Sequence, residues 1–242
     1  MGSLDDRVAL ITGASRGLGR AIALAFAGEG AALALCARGR EALARVADEI
    51  AASGSEVLAI PADMRSERDM DRLVGLTLDR FQRIDILINN ASEPGPTPLP
   101  YLADYPPATF NDVLQVNVAA PFRLTQAVIG GMLLRGRGVI INVTSDAAIT
   151  GYPGWGAYAV SKAALEGLTR TWAAELVETG VRIYAVDPGD MDTDMHRAAI
   201  PDADPAELAQ PDEVARAFVR LTTTSTAPAA AGRRLEAAAL GA

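Results

Sequence analysis

The sequence is poor in the residues that build metal centres and covalent cross-links. Among 242 residues there is one cysteine, Cys36, and one histidine, His196. A single cysteine excludes a disulfide within the chain, and its apolar setting in ALALCAR favours a buried, inert thiol. A single histidine effectively excludes metal sites built from His and Cys clusters. We therefore expect no metal, and any chemistry must use Ser, Tyr, Lys, Asn, carboxylates or a borrowed cofactor.

Long apolar runs and clusters of positive charge are also missing. No apolar stretch approaches the ~18 residues of a membrane span, and the start, MGSLDDRVAL, lacks the basic and apolar parts of a secretory signal. Lys and Arg number 22 against 30 Asp and Glu, which gives a formal net charge of −8. Nucleic acid is not expected as a partner, because binding phosphates needs a basic patch. A cytoplasmic protein with no membrane or nucleic-acid partner is predicted.

Short apolar runs alternate with helical patterns along the chain. This rhythm predicts parallel β-α-β units, and hence an α/β fold with a doubly wound sheet and helices on both faces. No internal repeat or linker interrupts residues 1–242, so one domain is expected, with a cofactor half at about 1–140 and a substrate half at about 141–242. The predicted strands are 7–12, 32–37, 56–61, 86–89, 138–143 and 181–189, and the main predicted helices are 18–27, 41–53, 69–81, 157–177 and 211–221.

A glycine-rich turn, GASRGLG, joins the first predicted strand to the first helix. Its glycines are Gly13, Gly17 and Gly19, spaced one residue wider at the front than G-x-G-x-x-G. Glycines let the backbone approach a pyrophosphate closely, and the helix N-terminus offers free N–H groups and a positive dipole end. The context predicts dinucleotide binding. A purely structural turn is the alternative.

The second predicted strand ends at Arg38, nineteen residues after Gly19, with no acid at that point. In dinucleotide folds an acid here binds the ribose 2′-hydroxyl, whereas an Arg accommodates a 2′-phosphate. Arg16, inside the glycine turn, can bind the same phosphate with bidentate geometry. The pattern favours NADP(H) over NAD(H), unless both arginines are merely surface charges.

The stretch SDAAITGYPGWGAYAVSK joins the predicted strand 138–143 to a long helix. Ser145 follows the strand, while Tyr158 and Lys162 are four residues apart and so share one helix face. A nearby ammonium favours an ionised phenol, so we expect Lys162 to lower the pKa of Tyr158 and make it a usable general acid or base. Ser145 can then hydrogen-bond the oxygen where charge changes. The alternative is a partly buried aromatic beside a surface lysine.

Three further segments fall near the rim where these strands end. Residues 93–107 are rich in proline and predict an ordered loop. Asn117 lies in a helical pattern that disfavours it, so it either caps a local break or serves the site. Residues 190–210 are polar with weak periodicity, and are either a mobile lid over the site or a plain surface excursion.

Taken together these motifs resemble the short-chain dehydrogenase/reductase family over nearly the whole chain. The motifs are TGASRGLG at 12–19, ADM at 62–64, NNAS at 89–92, Asn117, Ser145, the Tyr158 and Lys162 pair, and PGDMDT at 188–193. The resemblance implies a single Rossmann-type domain with a sheet of about seven parallel strands and three helices on each face. It also implies reversible hydride transfer between nicotinamide and a ketone or secondary alcohol, in a homotetramer or, less often, a dimer.

The resemblance also implies roles for individual residues. Tyr158 would be the acid or base, Lys162 would lower its pKa and hold the nicotinamide ribose, Ser145 would orient the substrate oxygen, and Asn117 would hold a relay water. Asp63 would contact adenine, Asn90 a ribose and Thr193 the carboxamide. The full set of expected cofactor-binding residues is Gly13, Ser15, Arg16, Gly17, Leu18, Gly19, Arg38, Asp63, Met64, Asn90, Ala91, Tyr158, Lys162, Pro188, Gly189 and Thr193.

The sequence departs from the family pattern at two places. Ser92 stands where the family usually has Gly, which adds a side chain near the cofactor. The C-terminus, AAAGRRLEAAALGA, lacks the usual apolar strand that closes in a Gly pair, although 233–237 can still form the seventh strand. The tetramer contacts that this segment often makes are therefore less secure.

The complete Ser, Tyr, Lys and Asn set favours a carbonyl reductase or alcohol dehydrogenase, either 3-oxoacyl reductase-like or general. A non-catalytic dinucleotide sensor is a second hypothesis, although such a protein would be expected to lose Tyr158 or Lys162. An epimerase or dehydratase is a third, but those relatives generally carry more chain after Thr193. The expected pocket walls, 92–105, 149–155 and 191–200, include Trp155, Tyr152, Met191 and Met195, and so predict an apolar substrate.

Overall fold

The architecture was determined from a computed structural model, which describes residues 2–223 and 231–241. Seven parallel strands form one sheet in the order β3-β2-β1-β4-β5-β6-β7. The strands are β1 (Val8–Thr12), β2 (Ala32–Ala37), β3 (Val57–Pro61), β4 (Ile86–Asn89), β5 (Gly138–Val143), β6 (Val181–Asp187) and β7 (Arg234–Glu236). The predicted α/β fold class is confirmed.

The helices cover both faces of the sheet, as predicted. They are α1 (Gly17–Gly28), α2 (Arg40–Ala52), α3 (Glu67–Phe81), α4 (Pro107–Leu114), α5 (Ala120–Leu134), α6 (Gly156–Glu175), α7 (Asp194–Ala199) and α8 (Pro211–Thr223). One apolar core lies between the sheet and α1, α2 and α8. A second lies between the sheet and α3, α5 and α6.

Strand residues alternate between these two cores. In β1, Ile11 belongs to the first core and Leu10 to the second, and both are fully buried. A strand covered on both faces needs apolar residues at every position, which is why the central strands are continuous apolar runs. This burial fixes the sheet and therefore the edge at which the strands end.

The chain changes direction across the sheet between β1 and β4, since β2 and β3 lie on one side and β5 to β7 on the other. Loops after the carboxyl ends of parallel strands leave a crevice at such a point. Gly13 follows β1, Asn90 follows β4, Ser145 follows β5 and Pro188 follows β6. The topology thus brings four predicted site segments to one edge.

Two elements, a π-helical turn and a short polar strand, depart from regular helix and strand patterns in the sequence. The helical segment around Asn117 is a π-helical turn, Gln115–Ala119, between α4 and α5, which agrees with the expected local break. The short strand β7 pairs with β6 and confirms the expected seventh strand despite its polar composition. Of the C-terminal half, 224–230 lie outside the described residues. No helix in the described part of the chain is long and apolar enough to cross a membrane.

Candidate active site

One cavity of about 670 Å³ opens at the carboxyl edge of the sheet. Ser145, Tyr158 and Lys162 line it together with the glycine turn. Asn117 alone of the predicted site residues does not. The predicted cofactor-binding residues that line it are Gly13, Ser15, Arg16, Gly17, Leu18, Gly19, Arg38, Asp63, Met64, Asn90, Ala91, Tyr158, Lys162, Pro188, Gly189 and Thr193.

The glycine turn leaves room that side chains would fill. Gly13 has φ +68° and Gly17 has φ +53°, values that favour glycine. A Cβ on Gly13 would lie 2.9 Å from the Ala91 Cα. The first turn of α1 has no side-chain cap from Arg16, so its N–H groups face the cavity edge without that partner. A pyrophosphate therefore fits this turn, as dinucleotide binding requires.

Asn90 braces the glycine turn from the neighbouring strand. Its side-chain amide donates to the Thr12 carbonyl at 2.9 Å and to the Gly13 carbonyl at 3.2 Å. The Thr12 hydroxyl in turn accepts the backbone N–H groups of Asn90 and Ala91, each at 3.0 Å. The Asn90 amide group therefore holds the turn in shape. Its predicted contact with a cofactor ribose stays a prediction.

Lys162 is buried beneath Tyr158. The residue is 2% exposed, Nζ donates to the Val143 carbonyl at 2.8 Å, and Nζ lies 5.3 Å from the Tyr158 ring centroid. The half-buried Tyr158 packs edge-on against Trp155, with ring centroids 5.2 Å apart. Its phenol lies near the hydroxyls of Ser145 and Ser92. The helix α6 thus presents both residues to the cavity on one face, as their spacing predicts.

The expected acidification of Tyr158 is corrected by the structure. Burial raises the pKa of Tyr158 to about 12, against the opposing effect of the neighbouring Ser145 and Ser92 hydroxyls. Burial also lowers the pKa of Lys162 to about 8, although the Asp187 carboxylate opposes this. Desolvation disfavours both charged forms, and it outweighs the attraction that the spacing alone suggests. Tyr158 therefore keeps its proton at neutral pH.

Ser145 is held by a neighbouring acid that the sequence analysis did not single out. Its hydroxyl donates to Asp146 Oδ1 at 2.9 Å, and the Tyr152 hydroxyl donates to Asp146 Oδ2 at 2.6 Å. Burial raises the pKa of Asp146, but these hydrogen bonds outweigh it and the net pKa is lowered. An ionised acid thus fixes the orientation of Ser145. An acid directly beside the predicted serine was the available signal.

Asn117 lies behind the cavity wall and is buried. Its Oδ1 accepts the Glu93 N–H at 2.8 Å, while Nδ2 donates to the Glu93 carbonyl and to Ser161 Oγ, each at 2.9 Å. The Ser92 hydroxyl also donates to Oδ1, at 3.3 Å. The side chain therefore clamps the loop after β4 to α6. The predicted role in holding a relay water is not tested by these contacts.

Both arginines predicted to bind a 2′-phosphate line the cavity and face carboxylates. Arg38 lies 3.7 Å from a Glu93 carboxylate oxygen, and Arg16 lies 3.3 Å from one of Asp194. The side chains of Arg38 and Arg16 are 59% and 70% exposed, so these pairs are weak and open to competition. Nearby, hydrogen bonds from Arg65 lower the pKa of Asp63, the predicted adenine contact.

A buried ionic cluster closes the cavity floor, and sequence analysis missed it. Arg234 of β7 pairs with Asp187 at the end of β6 and lies 3.4 Å from Glu166 of α6. Glu166 also accepts the Thr144 hydroxyl at 2.8 Å. Asp187 lines the cavity. The only sequence signal was an acid within the buried strand predicted at 181–189.

The segment predicted as a lid or a surface excursion contains the short helix α7 and a bridge between Met191 and Ala209. Thr193 caps α7, since its hydroxyl accepts the His196 N–H at 3.2 Å. Met191, Met195 and Ile200 line the cavity. The segment therefore forms one wall of the site. Within 2–223 and 231–241, no group of three or more His, Cys, Asp or Glu residues is placed to hold a metal.

A parallel sheet with a glycine turn at its centre and a tyrosine–lysine pair on the same rim defines a nucleotide-dependent oxidoreductase. Residues 7–204 match the family model described as short chain dehydrogenase. The chain is 39% identical over 235 residues to a 3-oxoacyl-(acyl-carrier-protein) reductase from Synechocystis sp., covering 94% of this chain and 93% of that protein. It belongs to the short-chain dehydrogenase/reductase family, and it is accordingly an NAD(P)-dependent oxidoreductase.

Solved structures similar to this chain include proteins with either form of the cofactor. A variant of actinorhodin polyketide ketoreductase with NADPH is 32% identical, with a TM-score of 0.87 and coverage of 98% of this chain and 97% of that one. A 7α-hydroxysteroid dehydrogenase complexed with NADH and 7-oxo glycochenodeoxycholic acid is also 32% identical. Its TM-score is 0.87, and the match covers 96% of this chain and 93% of that one.

Proposed function

We propose that this protein is an NADP(H)-dependent carbonyl reductase that interconverts a ketone and a secondary alcohol. The observation that carries the proposal is the placement of Tyr158, Ser145 and Lys162 around the same cavity as the glycine turn. When bound, the cofactor would supply the hydride. The chain would supply the binding site, the orientation of the carbonyl and the proton.

Each residue of the trio has a separate task in this proposal. Tyr158 would donate its proton to the carbonyl oxygen, and a phenol with a pKa of about 12 starts in the protonated form that reduction needs. Ser145, whose single hydroxyl proton is donated to Asp146 in this structure, would turn that proton to the same oxygen, where negative charge develops. Lys162 would hold the nicotinamide ribose. Asn117 would hold the loop after β4 in position against α6.

The preference for NADP(H) over NAD(H) is supported by the two arginines at the cavity mouth. Arg38 directly follows β2, and Arg16 lies in the glycine turn. Both residues line the cavity. Guanidinium groups suit a phosphate dianion because they offer paired donors with a fixed charge. Similar solved proteins hold NADPH in one case and NADH in another.

The substrate would be a small, largely apolar carbonyl compound or alcohol. Trp155, Tyr152, Met195 and Ile200 line the proposed substrate end, and the Asp146 carboxylate adds one polar point. A 3-oxoacyl thioester or a general ketone suits such walls. The names of relatives, a 3-oxoacyl reductase and a hydroxysteroid dehydrogenase, support this range.

We further propose a cytoplasmic homo-oligomer, a tetramer or a dimer, formed by single-domain subunits. In each subunit, 190–210 would act as the lid over the substrate. The family pattern supports this assembly. The C-terminal segment, which often makes the tetramer contacts, is atypical here, so the assembly has to be measured. Size determination by light scattering separates tetramer, dimer and monomer.

The central experiment measures oxidation of NADPH by the purified protein with a panel of apolar ketones and 3-oxoacyl thioesters. Tyr158→Phe should lose at least about 100-fold in kcat, because the proton donor is removed. Tyr101→Phe is the matched control, since Tyr101 is exposed and does not line the cavity. Full activity in Tyr158→Phe would show that another group supplies the proton. Tight NADPH binding without turnover of any substrate would favour a sensor.

A further inference from the structure

Glu93 is held in a fixed position at the cavity wall. One side chain, Asn117, hydrogen-bonds both its backbone N–H at 2.8 Å and its carbonyl at 2.9 Å. Asn117 is itself buried and tied to Ser161 of α6. The Glu93 side chain, which is 26% exposed, therefore extends from an anchored backbone.

Glu93 lines the same cavity as the glycine turn. It lies 3.7 Å from Arg38, which follows β2, whereas Glu93 lies in the loop after β4. In the sheet, β2 and β4 are the two neighbours of β1, whose end carries Gly13. An acid from the loop after β4 thus lies beside the arginine that follows β2, a strand whose own end carries no acid.

We propose that Glu93 is a cofactor-specificity residue that opposes the 2′-phosphate and accepts the ribose 2′-hydroxyl, so that the chain uses both NADP(H) and NAD(H). The inference deepens the proposed function, since it concerns the same cofactor site. A carboxylate repels a phosphate dianion, and it accepts a hydrogen bond from a hydroxyl. Arg38 attracts the phosphate, and its pairing with Glu93 offsets part of that attraction.

Other charges near Glu93 do not remove this effect. Arg65 lies within electrostatic reach of Glu93 but is hydrogen-bonded to Asp63. Tyr105, also within reach, has its pKa raised first by burial and then by Glu93. Arg16 is paired with Asp194 on the lid segment. Arg16, Arg38 and Arg65 thus each already face a carboxylate, and Glu93 is the one opposite Arg38.

The test measures binding of NADP⁺, NAD⁺, 2′,5′-ADP and 5′-AMP by calorimetry to wild type and Glu93→Gln. Loss of the charge should tighten NADP⁺ and 2′,5′-ADP by about 5- to 30-fold, a Coulomb effect between close charges in water. NAD⁺ and 5′-AMP should bind equally well or more weakly. Glu49→Gln is the matched control, because Glu49 pairs with Arg20 outside the cavity at 2.7 Å.

A double-mutant cycle with Arg38→Ala shows whether the pair acts together. The gain from Glu93→Gln should be smaller when Arg38 is absent, since part of the gain is release of that arginine. An unchanged ratio of NADP⁺ to NAD⁺ affinity in Glu93→Gln would overturn the proposal, and thermal unfolding of each variant confirms that it is folded. Failure of the NADP(H) preference would appear separately, as a wild type that binds NAD⁺ more tightly.

Discussion

The ammonium of Lys162 donates a 2.8 Å hydrogen bond to the carbonyl of Val143, the last residue of β5. This contact ties α6 to the strand that delivers Ser145, so two of the three candidate catalytic residues share one anchor. The same burial that makes the contact possible lowers the pKa of Lys162 to about 8. The buried lysine therefore helps to position α6 against β5, and burying its charge costs free energy of folding.

That cost predicts that the difference in free energy of unfolding between wild type and Lys162→Met depends on pH. The native lysine has a pKa of about 8 against an ordinary 10.5, so between these values unfolding takes up a proton. Wild-type stability should therefore rise, relative to Lys162→Met, by about 1.4 kcal/mol per pH unit as pH rises from 8 to 10. Below pH 8 the difference should be constant.

Denaturant unfolding of both proteins from pH 7 to pH 10 measures this slope. The comparison with Lys162→Met cancels other groups, including Cys36, whose pKa burial raises to about 12. A difference that stays flat across the whole range would mean that the buried lysine is not desolvated as the structure indicates.

The elements that were predicted well are those for which local pattern and burial agree. The strands β2, β4 and β5 begin and end at the predicted residues because both faces of each are covered. Helix α3 begins two residues before the predicted start, since Ser66 caps it by accepting the Asp69 N–H. Strand β6 ends at Asp187, before Pro188 and Gly189, which were included in the prediction.

The site was predictable where its residues follow a strand or share a helix turn. Tyr158 and Lys162 are one turn apart, so sequence spacing places them together. The pairs Arg38 with Glu93 and Asp187 with Arg234 join residues distant in sequence, and only the folded sheet brings them close. The direction of the Tyr158 pKa shift also depends on burial, which spacing does not reveal.

Gly13→Ala should weaken cofactor binding and stability together. The new Cβ would lie 2.9 Å from Ala91 Cα, and the backbone has a φ of +68° that alanine disfavours. Gly54→Ala is the matched control, because Gly54 also has positive φ, +90°, but nothing within 4 Å of the added Cβ. Both variants should lose about 1 kcal/mol from backbone strain, measured by denaturant unfolding.

Only Gly13→Ala should lose further stability and NADP⁺ affinity, the latter by at least about tenfold, because the turn must shift to relieve the contact. Calorimetry of NADP⁺ binding gives the affinity. Equal losses in the two variants would indicate that the close approach of this turn to the loop after β4 has no energetic consequence.

Asn117→Ala should destabilise the loop after β4. It removes the hydrogen bonds to Glu93 and Ser161 and leaves buried polar groups without partners, at a cost of about 2–4 kcal/mol. Asn111→Ala, at an exposed position of α4, should change the free energy of unfolding by about 0.5 kcal/mol or less. Urea unfolding of both variants measures the difference.

Hydrogen exchange adds a local readout for the same variant. The amide of Glu93 donates to Asn117 Oδ1, so it should exchange faster in Asn117→Ala than the loss of global stability explains. Protection at Glu93 that follows global unfolding alone would show that the loop holds its position by other contacts.

Arg234→Ala should be the most destabilising of these substitutions, because it removes a cation that pairs with two buried carboxylates, Asp187 and Glu166. Removing one partner of a buried ionic group leaves charge uncompensated, at a cost of about 3–5 kcal/mol. The neighbouring Arg233 is exposed, so Arg233→Ala should cost about 0.5 kcal/mol or less. Thermal and denaturant unfolding compare the two. Equal stability of the two variants would contradict the view that the ion pairs of Arg234 help to hold β7 to the sheet.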